Sequence, residues 1–206
     1  MGPLVSASGF RSPSLDLAPT VRLGEDQGRL ALLMDGVVQS ISPPDSFQRG
    51  GYWAGMLPNL QVSRCLILGL GGGTLANLLA SRWSPERIVG IEIDPRVVET
   101  SRGQGWYDLP TLEIIEGDAF DYLESTRERF DYVAIDLYRG THFAGRSLTK
   151  PFLRKLRDLL DQPGLVAVNL FRDSRLEGRR ERIARLLQIQ RDERVGDNVI
   201  IHARAR

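Results

Sequence analysis

Residues 64–74 read Arg64-Cys65-Leu66-Ile67-Leu68-Gly69-Leu70-Gly71-Gly72-Gly73-Thr74, and helix-forming residues, Leu75-Ala76-Asn77-Leu78-Leu79, follow at once. An apolar run of strand length therefore ends in glycines at 69, 71 and 73. Glycine is required where a backbone turns tightly or a ligand comes within contact distance of it. The spacing argues against two common nucleotide loops. The dinucleotide fingerprint needs its third glycine at position 74, where Thr74 stands. The phosphate loop of nucleotide hydrolases needs a Gly-Lys-Ser/Thr ending, which is absent. Neither NAD nor a nucleoside triphosphate is favoured.

The next strand-like run ends in Gly90-Ile91-Glu92-Ile93-Asp94-Pro95. Glu92 lies 19 residues after Gly73, close to the ~20 expected of an acid that takes both ribose hydroxyls of a nucleoside. Asp94 before Pro95 has the pattern of a helix start, with aspartate at the N-cap and proline at the first helical position. Ribose is thus assigned to Glu92 and capping mainly to Asp94. A third element, Ile114-Ile115-Glu116-Gly117-Asp118-Ala119-Phe120, puts Asp118 where a strand gives way to a helix. An acid there either accepts a hydrogen bond from the exocyclic amine of adenine or caps the helix. The three motifs come in order at strand carboxyl ends, where open α/β sheets bind ligands.

Runs at 64–69, 87–92, 111–115, 131–136 and 164–170 read as strands, with helical stretches near 74–82, 95–102, 118–126 and 148–160 between them. That alternation predicts an α/β domain with a mostly parallel sheet and helices on both faces. After a helix around 176–185, Leu187–Arg191 and Val199–Ala203 join through Val195-Gly196-Asp197-Asn198 as an antiparallel hairpin. A parallel sheet finished by an antiparallel pair is the Rossmann-like arrangement of the methyltransferase fold. Upstream, Arg29–Met34 and Val37–Ile41 flank Asp35-Gly36, a strong hairpin signal. Pro43-Pro44 breaks the pattern, and Asp45 or Ser46 is placed to cap a helix carrying Tyr52, Trp53, Met56 and Leu57. The chain divides into a loose arm (1–20), a small β-hairpin region (21–45) and a nucleoside-binding α/β domain (46–206).

Composition narrows the function. The chain has 206 residues, 42% hydrophobic and 26% charged, with a formal charge of +1, so nothing points to nucleic acid or an anionic membrane as partner. Cys65 is the lone cysteine and the two histidines, His142 and His202, are far apart, which leaves no metal-ligand spacing. The arginines at 175, 179, 180, 182 and 185 alternate with Glu177 and Glu181 and read as a solvated helix face. No run reaches the ~20 apolar residues of a membrane helix, and no secretory signal is visible at the start. A cytoplasmic location is the default expectation.

These motifs resemble the spermidine synthase family, which joins a small N-terminal β region to a methyltransferase-like domain. The likeness covers roughly residues 30–170. Leu33-Met34-Asp35-Gly36-Val37-Val38-Gln39 resembles the family's hairpin, whose glutamine touches the nucleoside. Gly69, Gly71, Gly73, Glu92 and Asp118 fall on its glycine loop, ribose acid and adenine acid. Phe130-Asp131-Tyr132-Val133-Ala134-Ile135-Asp136 matches its strand ending in an active-site aspartate, and Leu148-Thr149-Lys150-Pro151-Phe152 resembles the helix that follows. The resemblance implies S-adenosylmethionine, or its decarboxylated form, as cofactor and a small molecule as acceptor.

Three departures fall in the polyamine half of that pattern. Gly72 stands where the family's glycine loop carries an aspartate. Arg139 stands where its second active-site aspartate serves as base, and Tyr52-Trp53-Ala54-Gly55-Met56 blurs its Tyr-x-Glu segment. An aliphatic amine of pKa ~10.4 must lose a proton before it attacks. Arginine in place of the base removes that help and repels a polycation.

In the loop from Asp136 to Ser147, Asp136 is the candidate to face the sulfonium. Tyr138 and His142 are candidate proton acceptors, His142 also reading as a solvent-facing loop residue. Arg139 and Arg146 are candidates to grip an acidic acceptor. The leading expectation is an S-adenosylmethionine-type transferase, methyl or aminopropyl, that is poor as a spermidine synthase. A non-catalytic nucleoside-binding protein is the alternative, and the hairpin edge is a candidate surface for a homodimer.

Overall fold

In a computed structural model, described here for residues 20–43, 51–140 and 142–205, two main sheets and a two-stranded flap build the protein. The first is antiparallel, ordered β1 (Val21–Asp26), β2 (Arg29–Met34), β3 (Val37–Ile41). Asp35-Gly36 makes the expected turn between β2 and β3, with φ of 50° and 81°, the left-handed pair of a two-residue hairpin. The strand β1 is an addition to the expected hairpin. Its Val21-Arg22-Leu23-Gly24-Glu25-Asp26 carries too few apolar residues to declare itself, and pairing with β2 along its whole length supplies what burial does not. The loose arm through residue 19 and the cap at Asp45 or Ser46 lie outside the described residues.

The second sheet has seven strands: β4 (Arg64–Leu68), β5 (Arg87–Glu92), β6 (Leu112–Glu116), β7 (Phe130–Ile135), β10 (Leu160–Phe171), β11 (Leu187–Val195) and β12 (Asn198–Ala205). Their order is β11-β12-β10-β7-β4-β5-β6. Strands β6, β5, β4, β7 and β10 run parallel, and β12 and β11 add the antiparallel pair expected from the C-terminal pattern. A two-stranded flap, β8 (Tyr138–Arg139) with β9 (His142–Phe143), follows β7. The helices are α1 (Gly51–Gly55), α2 (Thr74–Trp83), α3 (Pro95–Gly103), α4 (Ala119–Ser125), α5 (Lys150–Asp158) and α6 (Leu176–Ala184). The stretch read as one helix over 148–160 divides into a 3-10 turn (Gly145–Leu148) and α5, and β10 starts at Leu160 rather than 164.

Strand residues alternate between two cores. Leu66, Leu68, Val89, Ile91, Val133 and Ile135 pack with α4, α5 and α6 on one face. Cys65, Ile67, Ile88, Tyr132 and Ala134 pack with α1 and α2 on the other. Burial on both faces is why these strands read as continuous apolar runs rather than alternating ones. A smaller core of Leu32, Met34, Val97 and Trp106 fastens the N-terminal sheet to α3. Of the arginines of α6, Arg182 is exposed and Arg180 pairs with Asp192 at 2.8 Å, whereas Arg179 departs from the expected solvated face: it is largely buried, paired with Asp173 at 3.0 Å, with its guanidinium 5.3 Å from the Phe143 ring centroid. Among the described residues no helix is long and apolar enough to cross a membrane.

Chain direction fixes where a ligand can sit. After β4 the chain adds β5 and β6 on one side, then returns to place β7 and β10 on the other. A crevice opens at such a switch point, beyond the strands' carboxyl ends. Gly69, Glu92, Asp118 and Asp136 all stand there.

Candidate active site

Local geometry explains the glycine loop. Gly69 has φ 89°, and a Cβ on it would fall 2.2 Å from the carbonyl oxygen of Asp136, so only glycine lets β4 end against β7. Glu92 reaches back from β5. Its Oε2 accepts from the Gly71 N–H at 2.8 Å and its Oε1 from the Asp94 N–H at 3.0 Å. Burial raises the Glu92 carboxyl above its ordinary range, and these backbone donors partly offset that. Asp94 caps α3 as expected, and its hydrogen-bonded pairing with Arg96 holds its carboxyl low, Arg139 contributing less. Asp118 caps α4 through the Phe120 N–H at 2.7 Å while lining the crevice. Capping and lining the crevice therefore coexist in one side chain.

The N-terminal sheet is stitched to this loop. Ser40 Oγ accepts from the Gly72 N–H at 2.5 Å, and Thr74 exchanges two 3.0 Å bonds with the Ile41 backbone. Thr74, which argued against a dinucleotide loop, thus ties the hairpin to the glycine turn. Ser40 and Trp106 also account for Gly72. A Cβ at that position would lie 2.7 Å from both the Ser40 Cβ and the Trp106 ring. The space an aspartate side chain would need is filled.

Asp136, at the end of β7, touches the crevice yet is surrounded by protein. Its Oδ2 accepts from the Tyr52 hydroxyl at 3.0 Å and its Oδ1 from the Asn169 amide at 2.8 Å. Asn198 in turn donates to Asn169 Oδ1 at 2.8 Å. Burial pushes the Asp136 carboxyl up to about 6, the two donors resisting the rise. Tyr138 donates to the Asn169 carbonyl at 3.2 Å and packs between Phe143, with rings tilted, and Phe171, edge to face. Burial raises both the Tyr52 and Tyr138 phenols, which keeps them protonated donors near neutrality. His142 pairs with Arg139 across the flap, and both are exposed at the crevice mouth.

One cavity of about 770 Å³ is lined by Gln39, Gly69, Gly71, Glu92, Asp118, Asp136, Tyr138 and His142 together. Gly73 is not among its lining residues; it turns into α2 with the Tyr107 ring against it. Sequence reading missed Ser40, Trp106, Asn169 and Asn198, and quoted Tyr52 without giving it a role. A polar Asn169 inside the apolar run 165–171 was the available signal, since a buried amide must find partners. In the sequence Asn198 reads only as a turn residue. Helix α1, which carries Tyr52, is braced from behind: Tyr132 donates to the Met56 carbonyl at 2.6 Å and His202 Nε2 lies 2.8 Å from the Gly55 carbonyl oxygen. Among the described residues no group of three or more His, Cys, Asp or Glu is arranged to hold a metal ion.

Comparison with known proteins bears on the family and the fold. A model of the spermine/spermidine synthase domain matches residues 54–174. A polyamine aminopropyltransferase of Thermococcus onnurineus is 31% identical over 169 residues, which is 76% of this chain and 59% of that protein. One of Vibrio vulnificus is 30% identical over 128 residues, 60% of this chain and 42% of that protein. The chain thus spans about half the length of these relatives. A crystal structure of spermidine synthase with the transition-state analogue AdoDATO superposes with TM-score 0.70 at 19% identity, covering 95% of this chain and 73% of that one. Human methyltransferase-like protein 13, in complex with SAH, gives 0.61 at 19% identity over 71% and 73%. At those identities the two structures speak to the methyltransferase-like fold alone. By its sequence match and its relatives, the chain belongs to the spermine/spermidine synthase domain family, a family of transferases.

Proposed function

We propose that the cavity binds the decarboxylated form of S-adenosylmethionine and that the protein transfers its aminopropyl group to a small amine, putrescine being a poor acceptor. The observation that carries this reading is the convergence of Gly69–Gly71, Glu92, Asp118 and Asp136 on one cavity at the switch point. Glu92 would take the ribose hydroxyls, Asp118 the adenine amine, and Gln39 would close over the nucleoside from β3. Ile93, 67% exposed and lining the same cavity, offers the apolar surface a flat base would cover. Asp136 is a carboxylate where a sulfonium needs one, since opposite charges attract strongly in a site shielded from water.

The loop's donors bear on which nucleoside fits. The N–H groups of Gly69 and Leu70 go to the Ile91 carbonyl, that of Gly71 to Glu92, that of Gly72 to Ser40 and that of Gly73 to the Leu70 carbonyl. A methionyl carboxylate meets no loop donor there, and leaving a charged group without partners is costly. The decarboxylated tail has no such need. Methyl transfer from intact S-adenosylmethionine is the second reading, favoured by Gly72, where no acidic side chain would repel that carboxylate.

The bound sulfonium would supply an electrophilic carbon. The acceptor nitrogen bonds to that carbon as the carbon–sulfur electron pair returns to sulfur, leaving a neutral thioether. Asp136 takes the proton the amine gives up, each of its oxygens keeping a second lone pair beside the bond it already accepts.

A turnover assay of purified protein with decarboxylated S-adenosylmethionine and putrescine tests the reading. Spermidine should form at no more than about 10⁻² s⁻¹, some 10²-fold below the lower end of the ~1–10³ s⁻¹ common among enzymes. Turnover at ordinary rates would contradict the poor-acceptor claim. Methyl transfer from intact S-adenosylmethionine to small acceptors, with none from the decarboxylated form, would replace the reading by the second one.

A further inference from the structure

We infer that the acceptor is a monoamine, one amine end on an apolar or aromatic body, rather than an α,ω-diamine. The inference rests on the nucleoside reading above and names the substrate class of the same site. Its basis is the uneven distribution of charge around the cavity. Glu92, Asp118 and Asp94, the last paired with Arg96, stand at the ends of β5 and β6, on the nucleoside side. On the other side, formed by α1, the end of β7, the flap, β10 and β12, Asp136 is the one carboxylate among the described lining residues.

The groups beside Asp136 are neutral and already committed. Asn169 gives its amide N–H to Asp136 and its side-chain oxygen to Asn198. The phenol of Tyr52 donates to Asp136 and that of Tyr138 to a backbone carbonyl. With their donors committed, these tyrosines offer a cation no more than neutral hydroxyl oxygens and aromatic surface. That surface is extended by Trp53, whose ring centroid lies 4.2 Å from that of Tyr52, and by Phe143 and Phe171, at 5.3 and 4.9 Å from Tyr138.

At the mouth the flap adds Arg139, a fixed positive charge. One ammonium can pair with Asp136 while its hydrocarbon body lies on the rings. A second ammonium on the same chain would leave water for aromatic walls with a guanidinium at the exit. Ring faces attract cations, but they offset only part of the cost of desolvating an ammonium with no carboxylate beside it.

The test is calorimetric titration of phenethylamine, isopentylamine and putrescine into the whole chain saturated with methylthioadenosine at pH 7.5. At least one monoamine should bind at least tenfold more tightly than putrescine, and Asp136→Asn should lose that binding. In Asn198→Asp, a second carboxylate at the end of β12 should narrow the gap to putrescine several-fold. Putrescine binding as tightly as both monoamines, or no amine binding to the methylthioadenosine-loaded protein, would overturn the inference while leaving the nucleoside reading intact. Failure of methylthioadenosine itself to bind would instead remove the nucleoside reading, and this inference with it.

Discussion

Glu92→Ala is expected to weaken methylthioadenosine binding by about 10²–10⁴-fold. The parent carboxylate would accept two charge-assisted hydrogen bonds from ribose, each worth about 1.5–3 kcal/mol, and 1.4 kcal/mol is a factor of ten in affinity. The side chain also holds the Gly71 and Asp94 N–H groups, so its loss loosens the loop that should approach the nucleoside. Glu92→Gln separates the two contributions. It keeps an oxygen for a loop donor but carries no charge, and it should fall between parent and alanine. Calorimetry on variants shown by circular dichroism to be folded makes the comparison. Parent-like affinity in folded Glu92→Ala would remove the ribose assignment.

Asp136→Asn should move stability and sulfonium binding in opposite directions. Burial lifts the Asp136 carboxyl from 3.8 to about 6. The folded protein therefore holds this proton more tightly than the unfolded chain. The group costs nothing below the unfolded value, costs progressively more stability as pH rises from about 4 to 6, and its full penalty stands above that. Asparagine removes the charge and keeps the pattern. Its oxygen can accept from Asn169, and its amide can donate to a Tyr52 hydroxyl turned to accept.

A rise from 3.8 to about 6 corresponds to at most roughly 3 kcal/mol. Because the side chain also touches the cavity, about 1–3 kcal/mol at pH 7.5 is expected, a gain of several degrees in melting temperature for a chain of this size. The same change should weaken decarboxylated S-adenosylmethionine at least tenfold and barely alter the uncharged methylthioadenosine. In the parent, lowering pH through about 6 should reproduce that selective loss. Equal losses for both ligands, or a less stable variant at pH 7.5, would contradict the role given to Asp136.

The parts of this molecule that were legible in the sequence are those governed by local rules. Gly69, Asp94-Pro95 and Asp35-Gly36 each answer a backbone demand within a few residues, and continuous apolar runs mark strands buried on both faces. Glu92, Asp118 and Asp136 could be ordered at strand ends because parallel strands must all finish on one edge. What stayed hidden depends on distant pairing. The strand β1 forms because β2 offers it an edge. Ser40 and Trp106 fill the space beside Gly72 from 32 and 34 residues away in the chain. Asn169 and Asn198 meet only because β12 folds back against β10. A departure such as Gly72 thus looks like a deletion in sequence, whereas in three dimensions it is a packing solution.

On the proposed reading, this crevice recognises an S-adenosyl-type nucleoside and not a dinucleotide. Titration calorimetry of the parent protein with decarboxylated S-adenosylmethionine, methylthioadenosine and NAD tests it most directly. One site per chain is expected for each of the first two, in the micromolar range or tighter, and no heat of binding from NAD. Saturable binding of NAD, or silence from both sulfur nucleosides, would contradict it.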